Sequence, residues 1–137
     1  MRILAIDPGS VKCGIAIAEG DEILQLELLT KDEFFNDIFD LNKKWQPDLI
    51  LLGDGTCSQY YKQQITDLLP DISLEMVDET SSSEEARRLY WKYNAPKGWR
   101  ALIPLGLLFP PEPYDQYVAL ILLERYKKHK NALSALN

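Results

Sequence analysis

The first nineteen residues constrain the chain most. Arg2-Ile3-Leu4-Ala5-Ile6 is an apolar run of strand character that ends on one acid, Asp7, followed by the turn residues Pro8-Gly9-Ser10 and a second apolar run, Gly14-Ile15-Ala16-Ile17-Ala18. Two such runs joined by a Pro-Gly turn predict paired strands inside a core. A carboxylate at the end of a core strand is costly unless it is paired or holds a cation. Asp7 therefore needs a partner, and a bound metal ion is the sharpest candidate. Asp-Pro-Gly is also good turn chemistry, so turn formation is the plainer alternative.

Ile23 to Leu29 alternates apolar and polar residues after the turn Glu19-Gly20-Asp21-Glu22, which predicts a third strand and an antiparallel meander. The period then changes. Thr30 can cap a helix with Glu33 three residues on, and Phe34, Phe35, Ile38, Phe39, Leu41 and Trp45 form a stripe at helical spacing that Pro47 ends. Leu49 to Gly53 is an unbroken apolar run, as expected of a buried parallel strand. A helix from Ser58 to Leu69 follows, then a strand from Ile72 to Val77. A third helix begins at Ser82 or Ser83 and runs to about Tyr93. The segment 94–113 holds five of the eight prolines and reads as loop, and a last helix runs from near Tyr114 to about Lys130.

The order β-β-β-α-β-α-β-α-loop-α predicts an α/β fold. Its sheet would be five-stranded and mixed, a three-stranded meander plus two parallel strands, with helices on both faces. At 137 residues the chain is expected to be one domain, 1–137. No apolar run approaches the roughly 20 residues that span a bilayer. No secretory signal is apparent, and Cys13 and Cys57 lack metal or redox spacing, so a cytoplasmic protein with free thiols is expected.

In sheets of this kind ligands gather at the carboxyl ends of the strands. Asp7, Asp54 and Glu79 each follow an apolar run there, and they converge if the first, fourth and fifth strands are parallel neighbours. Asp115 is the best third or fourth member of such a set. It opens the last helix at helical spacing from Val118, Ala119 and Leu122, whose packing would bring it over the strand ends. Hard divalent cations take carboxylate oxygens, and two of them about 4 Å apart clamp the attacking and leaving oxygens of a phosphodiester. Taken alone, Asp115 reads as a helix N-terminal acid and Glu79 as a solvated loop residue.

These residues together resemble the RNase H-like superfamily in its RuvC and YqgF branch. The resemblance rests on Asp7-Pro8-Gly9-Ser10 with Gly14-Ile15-Ala16, on Leu52-Gly53-Asp54-Gly55-Thr56, on Val77-Asp78-Glu79-Thr80-Ser81-Ser82 with Ala86, and on Asp115-Gln116-Tyr117-Val118-Ala119. It implies an RNase H-like fold and a Mg2+- or Mn2+-dependent endonuclease, with Asp7, Glu79 and Asp115 as catalytic, metal-binding carboxylates. Structured RNA, as in ribosomal RNA precursor processing, and branched DNA, as in Holliday-junction resolution, are the implied substrates. Junction-cutting relatives act as dimers, so a homodimer is an implied partner. The chain departs from the family pattern in two places. Thr80 stands where the family places Arg, and Asp54-Gly55 replaces Gly-x-Pro, so that Asp54 either adds a ligand or shapes the turn at Gly55.

The net charge of −6, from 21 acidic and 15 basic residues, argues against strong non-specific nucleic-acid binding. Local contacts remain open. Lys12, Arg87, Arg88, Lys92 and Arg100 are the candidates, interleaved with Trp91, Tyr93 and Trp99, which offer base stacking or core packing. Arg125, Lys127, Lys128, His129 and Lys130 form a second basic cluster; solvated helix faces explain either cluster as well. Ser10, Thr56 and Ser58 can donate to phosphate or to nearby backbone. A nucleic-acid- or protein-binding protein with reduced catalysis on the same fold is the competing expectation, motivated by Thr80 and the acidic balance.

Overall fold

A computed structural model describes residues 1–80, 82–95, 98–102 and 115–135, with the side chains of residues 83, 99, 100, 115 and 135 outside the description. The elements are β1 (Arg2–Asp7), β2 (Lys12–Glu19), β3 (Glu22–Thr30), α1 (Lys31–Trp45), β4 (Leu49–Gly53), α2 (Ser58–Leu68), β5 (Ser73–Val77), α3 (Ser82–Tyr93) and α4 (Asp115–Ala135). A 3-10 turn at Gly98–Leu102 lies within the segment expected as loop. The remainder of that expectation, and the side chains of Trp99 and Arg100, fall outside the described residues.

The sheet runs β3-β2-β1-β4-β5. β1 pairs antiparallel with β2 and parallel with β4, and β4 pairs parallel with β5. The carboxyl ends of β1, β4 and β5 thus lie side by side, with Ile6 level with Leu52 and Gly53 level with Val77. The architecture is the mixed five-stranded α/β sheet that the sequence pattern implied.

Alternation along each strand separates two cores. Leu4, Ile6, Ile15, Ile17, Ile50 and Leu52 face α1 and α2, meeting Phe34, Ile38, Leu41, Tyr61 and Ile65. Ile3, Ala5, Ala16, Ala18, Leu49 and Leu51 face α4, meeting Ala119, Leu120, Leu122, Leu123 and Tyr126. The alanines on that face leave room for the helix to lie close. α3 covers α4 from outside, with Ala86 against Val118 and Ile121. Six consecutive α4 residues, Val118 to Leu123, are therefore buried. A helix apolar all round is one enclosed on all sides, which is why the one-faced reading of Val118, Ala119 and Leu122 was too narrow.

Thr30 caps α1 as expected, its hydroxyl accepting the N–H of Glu33 at 3.1 Å. Trp91 is buried with Tyr90 of α3 and Tyr117 of α4, which takes the core-packing reading over base stacking. Two expectations are corrected. Phe39 is 52% exposed and lies outside the buried stripe of α1. α4 continues to Ala135, because Asn131 to Ala135 carries no helix breaker after the basic run. Among the described residues no helix is long and apolar enough to cross a membrane.

Candidate active site

Asp7 ends β1 opposite Gly14 of β2, half-buried. The turn beyond it closes only around glycine: a Cβ on Gly9 would stand 1.9 Å from the carbonyl oxygen of Lys12. The turn is held from below. The fully buried Tyr61 of α2 donates its hydroxyl to the Gly9 carbonyl at 2.9 Å, and its ring packs on Phe34 and Phe35. Cys13, hydrogen-bonded to Tyr61, lies in the same layer, and burial pushes its thiol up to about 12. A thiol-specific reagent at pH 8 is expected to modify Cys57 in the native protein and Cys13 only after unfolding. The thiolate fraction at Cys13 is then on the order of 10⁻⁴. Native labelling of both thiols, counted by mass, would contradict this anchor.

At the end of β4 the chain turns through Gly53-Asp54-Gly55. The Asp54 N–H donates to the Val77 carbonyl at 3.0 Å, which ties this turn to the end of β5. The Asp54 carboxylate accepts the N–H of Glu79 at 3.2 Å. Beyond β5, Asp78 accepts both the N–H and the hydroxyl of Thr80, at 3.0 and 2.7 Å, closing a tight turn that leaves Glu79 pointing back over β4. The Thr80 bonds, first, hold the Asp78 carboxyl below its usual range.

The Glu79 carboxylate lies in the hollow that the two glycines leave. A Cβ on Gly55 would stand 1.6 Å from its Oε1, and one on Gly53 2.5 Å from its Oε2. There it hydrogen-bonds the side chain of Asp7 and accepts from the N–H of Gly55. Burial, first, holds the Glu79 carboxyl above its ordinary range. The bond with Asp7 acts the other way, the negative charge of Asp54 adds to the rise, and the Gly55 N–H and the Arg125 charge oppose it. Two carboxyls in such contact must share a proton or give it up to a cation.

Asp7, Asp54 and Glu79 thus meet at the ends of three adjacent parallel strands. Asp115 opens α4, but its side chain lies outside the described residues, and among those residues no group of three or more His, Cys, Asp or Glu side chains is arranged to hold a metal ion. Asp54 spends one oxygen on the Glu79 backbone, so its observed work is to join the two turns.

Among the other candidates, Lys12 is exposed at the start of β2, beside the Gly9 turn. Arg88 and Lys92 are exposed on α3 and line a shallow depression with Glu85, Leu89, Ile121 and Glu124. Arg87 is half-buried. Ser58 is buried, so of its two readings the phosphate donor is withdrawn. Arg125, which the sequence offered only as part of a basic run, instead reaches the Glu79 turn. Its guanidinium donates to the carbonyls of Asp78 and Thr80, both at 2.7 Å. No spacing rule connects it to residues 45 and 47 positions away.

No protein-family model and no curated protein sequence matches the chain. Solved structures do. Thermus thermophilus RuvC in complex with a Holliday junction substrate superposes with a TM-score of 0.58 at 11% identity, over 89% of this chain and 90% of that one. The Fowlpox virus resolvase in complex with Holliday junction DNA superposes with a TM-score of 0.65 at 12% identity, over 94% and 98%. The fold is RuvC-like. In this RuvC-like sheet the carboxylates lie at the carboxyl ends of adjacent parallel strands, the end at which open α/β sheets bind ligands. The likeness is one of fold.

Proposed function

We propose that this chain is a divalent-metal-dependent endonuclease acting on branched DNA, folded as one RuvC-like domain. The observation that carries the reading is the hydrogen-bonded contact of Asp7 with Glu79 at the mouth of the parallel strands. A half-buried pair of carboxyls is a weak source of stability, since apolar residues of the same size often serve as well or better. It does suit a hard cation, because the donors are all oxygen and only a proton reconciles them without one. Asp7 and Glu79, with Asp115 from the first turn of α4, would hold Mg2+ or Mn2+. When bound, the ion supplies charge stabilisation and a nucleophilic water for phosphodiester hydrolysis.

The chain's own groups do the positioning. Tyr61 fixes the Gly9 carbonyl and with it the turn after Asp7. Asp54 holds the Glu79 backbone while the Gly55 N–H orients its carboxylate. Lys12, exposed beside the Gly9 turn, is a candidate cation for a substrate phosphate. The net charge of −6 makes an indiscriminate hold on duplex DNA unfavourable and favours recognition through the site and substrate shape. Branched DNA is preferred as substrate because both superposed proteins are described with Holliday junctions and share this chain's fold over most of its length. A second copy would supply the second cut that a four-way junction requires.

The test is cleavage of an end-labelled four-way junction, with linear duplex and stem-loop RNA as comparators. Nicks in opposed strands of the junction with Mg2+ or Mn2+, and none in EDTA, are expected. Cleavage of the RNA alone would redirect the substrate. Junction binding without turnover across divalent metals would leave only a binding role.

A further inference from the structure

We infer that Arg125 is a positioning residue for this site, seating Glu79 by gripping the backbone on both sides of it. The inference rests on the nuclease reading of the Asp7–Glu79 pair and adds to it a residue far from the strand ends in sequence. The guanidinium donates to the carbonyl of Asp78 at 2.7 Å and to that of Thr80 at 2.7 Å. Those are the residues immediately before and after Glu79. The same group is fixed from the other side by the carboxylate of Glu85 on α3, at 3.0 Å. The Arg125 side chain is 22% exposed, so its three bonds are formed with much of the group removed from water.

The geometry is specific to a planar fork. Two carbonyls and a carboxylate are satisfied by separate N–H groups of one rigid guanidinium, whereas a lysine ammonium is a point donor on a flexible stem. Among the described residues the other bonds of this turn are local ones and one to Asp54. β5 ends at Val77, and α3 starts at Ser82. Between them the Glu79 N–H bonds Asp54, the Thr80 N–H bonds Asp78, and the Glu79 carbonyl accepts from the Ser82 N–H at 3.0 Å. The carbonyls of Asp78 and Thr80 are the ones Arg125 takes. Arg125 lies on the helix that also begins with Asp115, so docking of α4 on the sheet and seating of Glu79 are mechanically one event. Reactivity that depends on carboxylates from β1, the β5 turn and α4 then requires that this helix be in place.

The experiment compares the full chain with Arg125→Gln, Arg125→Lys and, as a surface control, Lys43→Gln. Amide hydrogen exchange is read at Glu79 and Thr80, Mn2+ binding by electron paramagnetic resonance titration, and junction cleavage as kcat and KM. For Arg125→Gln we expect at least tenfold faster exchange at both amides, at least tenfold weaker Mn2+ binding, and a lower kcat with KM for the junction unchanged. Arg125→Lys should recover part of each effect, and Lys43→Gln none. Exchange unchanged in Arg125→Gln overturns the clamp. Faster exchange with Mn2+ affinity and kcat at wild-type values overturns the positioning role. A loss confined to KM would make Arg125 a substrate contact and overturns it as well. If Arg125→Gln fails to fold, Arg125→Lys alone decides, since full wild-type values in all three readouts would remove the need for a planar fork. A wild-type chain that neither binds Mn2+ nor cuts the junction refutes the nuclease reading, and the exchange comparison still decides the clamp.

Discussion

Asp7→Asn is expected to abolish metal-dependent cleavage while leaving the protein as stable as the wild type or more so. The catalytic side of the expectation follows from charge. An amide in place of a carboxylate removes one of the anionic donors, and a metal ion that contributes several kcal/mol of transition-state stabilisation accounts for a loss of roughly 10³-fold or more. The stability side follows from the pair. Without a cation, Glu79 is protonated more readily in the folded chain than in the unfolded one, chiefly because it is buried. Its stabilising contribution is then full below the ordinary glutamate range and is lost as pH rises through the elevated folded value. The amide introduced by Asp7→Asn can donate to an ionised Glu79, which removes like-charge repulsion at neutral pH. Thermal melts in EDTA at pH 7 should therefore place the variant at or above the wild type, with millimolar Mn2+ raising the wild type only. Cleavage that survives the substitution, or a variant that is markedly less stable, would sink the assignment of Asp7 to a metal site.

Much of this site was legible in the chain because the signals were local and periodic. Apolar runs that end on acids located Asp7, Asp54 and Glu79, and the alternation of strands and helices after the meander made their strands parallel neighbours. Those two inferences suffice to bring three carboxylates to one end of a sheet. What stayed hidden depends on the approach of segments distant in sequence. Arg125 looked like one cation among several on a terminal helix, since nothing in its neighbourhood encodes bonds to carbonyls 45 and 47 residues earlier. Ser58 and Trp91 carry polar or aromatic chemistry that suits a substrate, but the packing of α2 and α3 buries both. Asp54 offered a choice between ligand and turn former. It proved to join two turns, its N–H donating to the Val77 carbonyl and its carboxylate accepting the Glu79 N–H between the ends of β4 and β5. Gly55 looked like turn chemistry alone, and its second use is visible only once Glu79 is in position.

That second use gives the other large expected effect. Gly55→Ala should cost at least about 10²-fold in cleavage with little change in folding stability, because misplacing a reacting group by about 1 Å is enough for such a loss. The new methyl group would stand 1.6 Å from Oε1 of Glu79, well inside contact distance, so the carboxylate has to leave its hollow. Glu79 is the end of a flexible side chain, and it can swing away without moving the backbone. It then loses both the Gly55 N–H and the contact with Asp7. Among the described residues the glycines with positive φ are Gly20 and Gly98, and Gly55 is not one of them, so alanine meets no backbone strain there. Gly20 supplies the opposite case. Its φ is +61° and nothing lies within 4 Å of a Cβ built on it, so Gly20→Ala should lose about 1 kcal/mol through backbone strain alone and keep full activity. Melting temperatures and initial rates measured on the two variants should therefore part in opposite directions. If Gly55→Ala cleaves at the wild-type rate, the cradle does not set the position of Glu79 and this carboxylate is not needed where it lies.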